Sequence, residues 1–591
     1  MKAILAVLLT IGLGTSPLLA GAAGETGKEA PPAEVSSGSV AAGKSEEAVK
    51  PETPAIESEI QDLRSLVEEQ RAELEAQRAT LKAQQQNMEA QRASLKAQQL
   101  RMEALEEKLG APHSEPEATP EALSSTVVPA TPISRTTTAL SSAAANPAQK
   151  GNEEDSPLQF KIGSAYITPV GFLDFTGVFR SHDEGSGIGT NFAGIKYGNT
   201  FNTHLDELRF SMQNSRIGFR VDAMVKGAHV IGYMESDYLG NNPGNVSVSS
   251  NSNTLRSRLY WVDVQRDKWE LLAGQTWSLI TPGRTGISPL PGNIFFSQDI
   301  DVNYQAGLVW GRIPEVRFVI RPTNKFAFAV ALDSPEQYAG GSAGGPAIVY
   351  PTALGSLGGT QLNTGGTTLS TPNPAPDFIA KLAYDPNSKM HFEVGGLVRE
   401  FKVWNSLPAP AGTSFTKIGA GGFVNVNVEL FKGFRLLTNN FWADGGGRYI
   451  FGQVPDVIVR NDDTLSPIKA ASTVSGFEYT HRNSMLYAYY GGIYVYRNLA
   501  LDTNGLTLIG YGLPYNVASS AAQNRTVQEE TLGFNQTLWK DGKFGALNFM
   551  GQYSYVSRNP WATVDPSNAH LNMVFLNLRY TLPGSAPTLG K

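Results

Sequence analysis

The chain has 591 residues, no cysteine and a formal net charge of −6. The absence of cysteine excludes disulfides and thiolate metal sites. A mild negative charge does not suit a nucleic-acid-binding protein, which usually presents a basic face. Composition divides the chain into regions of different character, which follow one another from the N-terminus.

Residues 1–22 are predicted to be a secretory signal peptide. Lys2 is the charged start, Ala3–Leu13 the apolar centre and Ala20–Ala22 a small-residue cleavage site. No other segment approaches the roughly 20 apolar residues that a membrane helix needs. We therefore expect an exported protein whose membrane spans, if any, are strands.

Residues 23–55 are predicted to be a disordered linker, and a heptad repeat follows over 56–109. Position a holds Ile60, Val67, Leu74, Leu81, Met88, Leu95, Met102 and Leu109, and position d holds Ile56, Leu63, Gln70, Gln77, Gln84, Gln91, Gln98 and Leu105. This 3.5-residue period predicts a parallel coiled coil in the periplasm, with polar layers that fix its register. The alternative is a single solvated helix. Residues 110–157 form a second, Pro/Ser/Thr-rich linker.

From 158 to 582, segments of alternating apolar and polar residues are joined by connections that switch between tight and long. The seven tight connections are at 225–227, 266–267, 322–324, 385–388, 431–432, 482–483 and 540–542. The eight long ones lie near 181–205, 239–253, 278–306, 333–376, 403–416, 443–473, 496–525 and 557–569. This rhythm predicts a transmembrane antiparallel β-barrel of 16 strands in the bacterial outer membrane, followed by a tail at 583–591.

Alternation along each strand predicts which residues face lipid and which face the lumen. In 215–223, Ile217 and Phe219 oppose Arg216 and Arg220. In 255–261, the predicted lipid side is Leu255, Leu259 and Trp261, and the predicted lumen side is Arg256, Arg258 and Tyr260. The parity of Leu208, Phe210 and Met212 differs from that of Ile217, so we expect either a bulge near 213–215 or a membrane strand that begins at Ser215.

Five arginines are therefore expected to point into the lumen, several at similar heights above the tight turns. They are Arg216, Arg220, Arg256, Arg258 and Arg317. A charged side chain facing mid-membrane lipid costs about 2–4 kcal/mol, which favours the lumen. We predict that these residues form a pore constriction. The alternative is ordinary lumen lining, with inward carboxylates as partners.

The third long connection, 278–306, has a rigid Pro/Phe body and two close carboxylates, Asp299 and Asp301. These features predict a loop folded into the lumen, with its acids facing the arginines across the pore. The alternative is an ordinary surface loop.

Several segments together resemble the DcaP-like trimeric outer-membrane porins. They are the signal, the Gln-rich heptads, the Pro-rich linker, and the sequences SRIGF at 215–219, YMESD at 233–237 and LLAGQTWS at 271–278. The resemblance implies a homotrimer of 16-stranded barrels in outer-membrane lipid. It also implies an arginine-lined pore for small anionic solutes such as dicarboxylates.

None of the seven histidines lies in a metal-ligand spacing, and no nucleophile elbow or phosphate-binding loop is present in the sequence. We therefore expect no cofactor, no metal, no nucleic-acid partner and no enzymatic activity. Two functions remain open. One is a diffusion channel, and the other is a structural anchor whose coiled coil reaches toward the cell wall.

Overall fold

A computed structural model describes residues 157–198, 200–240, 253–295, 298–341, 345–365, 371–405, 412–514, 523–561 and 569–584. The predicted signal peptide, both linkers up to residue 156, the coiled coil and most of the C-terminal tail lie outside these residues. No helix among the described residues is long and apolar enough to cross a membrane.

Sixteen antiparallel strands, numbered here in chain order, form the wall of the barrel. They are β1 (Ala165–Arg180), β2 (Glu207–Ser211 and Arg216–Val225), β3 (Ala228–Asp237), β4 (Arg256–Arg266), β5 (Trp269–Trp277), β6 (Arg312–Thr323), β7 (Phe326–Asp333), β8 (Asp377–Asn387), β9 (Met390–Asn405), β10 (Thr413–Phe431), β11 (Phe434–Asp444), β12 (Lys469–His481), β13 (Ser484–Val495), β14 (Asn524–Asp541), β15 (Gly545–Pro560) and β16 (Ala569–Thr581).

The barrel closes where the first and last strands meet. Phe172 of β1 pairs with Thr581 of β16 on one side and with Arg216 of β2 on the other. A short strand, Phe160–Ile162, continues the β16 side by pairing with the start of β1. Closure leaves no open sheet edge, so every strand has a partner on both sides. The predicted fold of a 16-stranded antiparallel barrel is confirmed.

Each tight connection predicted from the sequence joins two consecutive strands. The turn between β2 and β3 shows why these residues suit the role. Lys226 and Gly227 have φ values of 48° and 81°. Positive φ at both central residues is the condition for a turn whose twist matches the flanking strands, and glycine meets it without steric cost.

Strand β2 is interrupted at the position where its sequence parity changes. A turn replaces the ladder between Ser211 and Arg216, with the backbone N–H of Ser215 donating to the carbonyl oxygen of Met212 at 2.9 Å. The hydroxyl of Ser211 accepts from the backbone N–H of Gln213 at 3.1 Å. This break lets Leu208 and Ile217 both face outward, as one of the two sequence expectations required.

The outward face of the barrel is apolar. Around the closing strands it exposes Leu173, Phe175, Leu208, Phe210, Ile217, Phe219, Leu576 and Leu578. The inward face of the same strands combines charged and polar residues, such as Asp174, Arg220, Asn577 and Arg579, with apolar ones such as Phe172 and Phe575. The apolar outer face is the feature that suits a membrane barrel.

The alternation of inward and outward side chains predicted for β4 is wrong after its third residue, Arg258. Tyr260 is 42% exposed on the outer face, whereas Leu259 and Trp261 are buried inside. The ladder with β3 shifts register there, because Glu235 pairs with Leu259 while Ser236 pairs with Ser257. A β-bulge therefore places Arg258 and Leu259 on the inner face in succession. The inward direction predicted for Arg256 and Arg258 is unaffected.

Described residues of three long connections belong to one buried apolar cluster. Phe192, Tyr449, Ile458 and Tyr511 come from three different connections and are all fully buried. Two connections contain small hairpins, Val457–Val459 with Leu465–Pro467 and Asn498–Leu501 with Leu508–Tyr511.

Candidate functional site

The connection between β5 and β6 is here called the lumen loop (278–311), and its described residues, 278–295 and 298–311, lie inside the barrel. It is tied to inward side chains of three distant strands: Arg284 Nη2 to Glu478 Oε1 of β12, Ile300 N to Gln552 Oε1 of β15, and Ala306 N to Glu529 Oε2 of β14, each at 2.7 Å. These charged and backbone contacts hold the loop across the pore.

The two acids of the lumen loop lie deep in this arrangement. Asp301 accepts the backbone N–H of Asn303 at 2.8 Å and that of Thr190 at 3.3 Å. Asp299 is 8% exposed, and among the described residues its Oδ1 has no hydrogen-bond partner. Burial, reinforced by the neighbouring carboxylates Asp301 and Glu478, raises the pKa of Asp299 well above its usual range.

Three of the five predicted arginines meet in one part of the wall. Arg258 contacts Glu235 at 2.8 Å and Asp237 at 2.7 Å, and Arg256 contacts Asp237 at 2.8 Å. We call these four residues the balanced cluster. Arg216 reaches the same Glu235 only at 3.7 Å. Three guanidiniums thus share two carboxylates, and the positive charge left over belongs to Arg216, which has the longest contact.

The other two predicted arginines lie elsewhere, each beside its own carboxylate. Arg220 makes two 2.8 Å bonds to Asp222 on the same strand. Arg317 lies 2.5 Å from Glu315 and donates to the carbonyl oxygen of Trp277 at 2.6 Å. Each of these two arginines therefore lies beside a carboxylate partner on its own strand.

Arg579 of β16 joins Arg216, and the sequence analysis did not include it in the site. The two guanidinium carbons lie 4.9 Å (Arg216) and 4.3 Å (Arg579) from the ring centre of Phe172. Arg579 also contacts Asp174 at 2.7 Å. We call Arg216 and Arg579 the seam pair, because they meet where the barrel closes. Arg579 lies on the inner face of β16, and closure of the barrel places it beside Arg216.

A glycine of β1 fixes the close approach of the strands at the seam. Gly171 has φ of +138°, and an added Cβ would lie 2.2 Å from the carbonyl oxygen of Arg216. A side chain here would push the two strands apart. Gly171 therefore helps to hold Arg216 at its position.

An open-mouthed cavity lies between the lumen loop and the seam. Its wall includes Phe172 and the seam pair, and its loop side includes Asp299, Asp301 and Tyr304. Cations thus face acids across a small space, and Trp277 adds an aromatic surface. Within the part of the chain that the structure describes, no three His, Asp or Glu side chains are grouped to hold a metal ion.

Comparison with known proteins finds similarity in fold. The barrel resembles the outer membrane channel DcaP of Acinetobacter baumannii with a TM-score of 0.50 and 17% identity, over 71% of this chain and 99% of that one. An anion-selective porin from Comamonas acidovorans gives a TM-score of 0.38 and 12% identity, over 71% and 99% of the two chains. OprB of Pseudomonas putida gives a TM-score of 0.39 and 12% identity, over 70% of this chain and 94% of that one.

No protein-family model and no curated protein sequence matches the chain. At this identity, the likeness to DcaP supports the shared barrel fold that the sequence motifs suggested.

Proposed function

We propose that this protein is an outer-membrane porin, a water-filled diffusion channel for small solutes that prefers small organic anions such as dicarboxylates. One observation carries the proposal: a closed barrel with an apolar outside and a charged inside, crossed by an internal loop. An apolar outer belt around a closed sheet suits a bilayer, because every backbone polar group is satisfied within the barrel. The charged lumen suits water and ions.

The anion preference is supported by the charges that line the narrow cavity. Arg216 is only loosely matched by Glu235, at 3.7 Å, and Arg579 lies beside it on Phe172. Low-dielectric walls focus the field of such cations on the passing solute. The similarity in fold to the channel DcaP agrees with a channel function.

Single-channel recording in a planar bilayer with a salt gradient tests the proposal. We expect stepwise ion currents and a reversal potential whose sign shows that anions are more permeant than cations. The double variant Arg216→Ser/Arg579→Ser should shift this potential toward cations at low salt, where screening is weakest. Arg220→Ser is the matched control, because that arginine is already paired with Asp222. A barrel that carries no current contradicts the proposal.

We also propose that the functional unit is a homotrimer in outer-membrane lipid, with the segment 56–109 in the periplasm. The support is the heptad register of that segment and the resemblance to the trimeric porins. Native mass measurement of the detergent-extracted full-length protein tests this, and a monomer contradicts it.

The second candidate function is a structural anchor, in which the barrel holds a coiled coil that reaches toward the cell wall. The polar heptad repeat favours it. The two functions are separated by the same recordings. An anchor needs no conductance, whereas a channel requires it.

A further inference from the structure

The cavity between the lumen loop and the seam carries opposite charges on its two sides, with aromatic surface between them. Phe172 and the seam pair form one side, and Asp299 and Asp301 form part of the other. Such a space selects solutes by where their charges lie as well as by their sign.

The cationic side has capacity left for a carboxylate. Among the described residues, Nε of Arg216 has no hydrogen-bond partner, and the Arg216 side chain is 11% exposed. Its nearest acid, Glu235, is already held by Arg258 at 2.8 Å. An incoming carboxylate could therefore accept charge-assisted hydrogen bonds from Arg216 without first breaking a short ion pair.

The acidic side has a carboxylate oxygen left for a hydrogen-bond donor. Asp299 is buried, its Oδ1 is unpartnered among the described residues, and the carboxylates Asp301 and Glu478 both repel its negative charge. A further carboxylate, Glu529 of β14, adds to this negative surrounding. An ammonium group at Asp299 would relieve both the repulsion and the missing hydrogen bond.

The middle of the cavity is apolar or aromatic. Tyr304 and Ile294 of the lumen loop line it together with Trp277 at the end of β5 and Phe172 of β1. A short hydrocarbon linker could lie against these side chains while charged groups occupy the two poles.

We infer that this cavity is a binding site for small zwitterions whose carboxylate and ammonium groups lie at opposite ends of a short apolar chain. The carboxylate binds at Arg216 and Arg579, and the ammonium binds at Asp299. A dicarboxylate of equal length can place one carboxylate at Arg216 and Arg579, but its second carboxylate then lies beside the acidic Asp299. This inference rests on the proposed channel function and refines its preference: at this site small zwitterions bind better than dicarboxylates, and dicarboxylates bind better than dications of equal length.

The test uses three probes of the same chain length: 4-aminobutyrate, succinate and 1,4-diaminobutane. Entry into liposomes containing the full-length protein is measured for each. We expect 4-aminobutyrate to enter faster than the other two. The variant Asp299→Asn should slow its entry about three- to tenfold, the effect of one charge-assisted contact, and should leave succinate unchanged or faster.

Two matched variants complete the design. Arg216→Gln should slow both carboxylate-bearing probes. Glu429→Gln changes a lumen carboxylate that lies outside the cavity and contacts Arg435. It should leave the entry rate of 4-aminobutyrate relative to succinate and to 1,4-diaminobutane unchanged. Folding of each variant is checked by heat-modifiable migration. The inference is overturned if succinate enters at least as fast as 4-aminobutyrate, or if Asp299→Asn leaves their ratio unchanged. If ions and all probes fail to pass, the channel function itself is overturned.

Discussion

The balanced cluster and the seam pair place arginines on the same inner surface, yet their environments differ. Arg258 is 1% exposed and touches two carboxylates at 2.8 Å or less. Arg216 meets one of the same carboxylates at 3.7 Å and borders a cavity. Inward direction alone therefore does not make an arginine available to a solute. The local supply of carboxylates decides whether it stabilises the wall or lines the pore.

The largest expected effect comes from breaking the balanced cluster. Arg258→Ala removes the 2.8 Å ion pair of the buried Glu235 and leaves it only the 3.7 Å ion pair with Arg216, and should lower the free energy of unfolding by about 3–5 kcal/mol. Arg216→Ala should cost about 1 kcal/mol or less, because its ion-pair contact is long. Denaturant unfolding of both variants in detergent micelles measures the difference. Equal losses would show that the two arginines have the same structural role.

The anchor of the lumen loop gives the next effect. Arg284→Ala removes the ion pair with Glu478 and should cost about 1–3 kcal/mol, since Glu478 still accepts from Tyr489 at 2.8 Å. A less tightly held loop should also make the open-channel current noisier. Arg321→Ala, whose side chain is more exposed and pairs with Glu270, is the control for loss of a lumen arginine. If neither the free energy of unfolding nor the current noise changes, the other contacts of the lumen loop are sufficient to hold it.

A smaller effect is expected from pH. Because the pKa of Asp299 is raised, this side chain takes up a proton at a pH above the usual range for aspartate. Below that pH the cavity loses negative charge, so anion permeability relative to cations should rise about two- to fivefold at low salt. Burial raises the pKa of Asp301 too. The double variant Asp299→Asn/Asp301→Asn should start with the higher anion preference and respond less to pH. A titration of reversal potential that is identical in both proteins would contradict this assignment.

The smallest effect should follow deletion of 56–109. The barrel closes its own hydrogen-bond ladders, so its unfolding midpoint should not change measurably. We also expect the truncated barrel to remain trimeric, because contacts between barrels should outweigh the Gln-rich layers of the coiled coil. Native mass measurement before and after the deletion checks this. Conversion to monomers would show that the coiled coil contributes more to the trimer than the contacts between barrels do.

The local pattern of the sequence was sufficient to predict the barrel. Alternation with period two defines a strand with two unlike faces, and strict switching between tight and long connections defines the number of strands. These are properties of neighbouring residues. For the same reason Arg216, Arg220 and Arg317 could be assigned to the inner face before any contact was known.

Local pattern failed where the ladder was irregular. The bulge in β4 moved Leu259 and Trp261 to the inside, because one extra residue reverses every later side chain. Nothing in the alternation of β4 alone marks this position, since the bulge is defined by its register with β3.

Only the tertiary structure decided which charges are available at the narrow site. Arg216 and Arg579 are 363 positions apart in the chain, and closure of the barrel brings both onto Phe172. Arg258 belongs to the stable wall because Glu235 and Asp237 reach it from the neighbouring strand. The sequence determines which side of a regular strand faces the lumen, since this depends on the two-residue period of the strand. Electrostatics at the site depends on distances between strands, and these are set by register and closure.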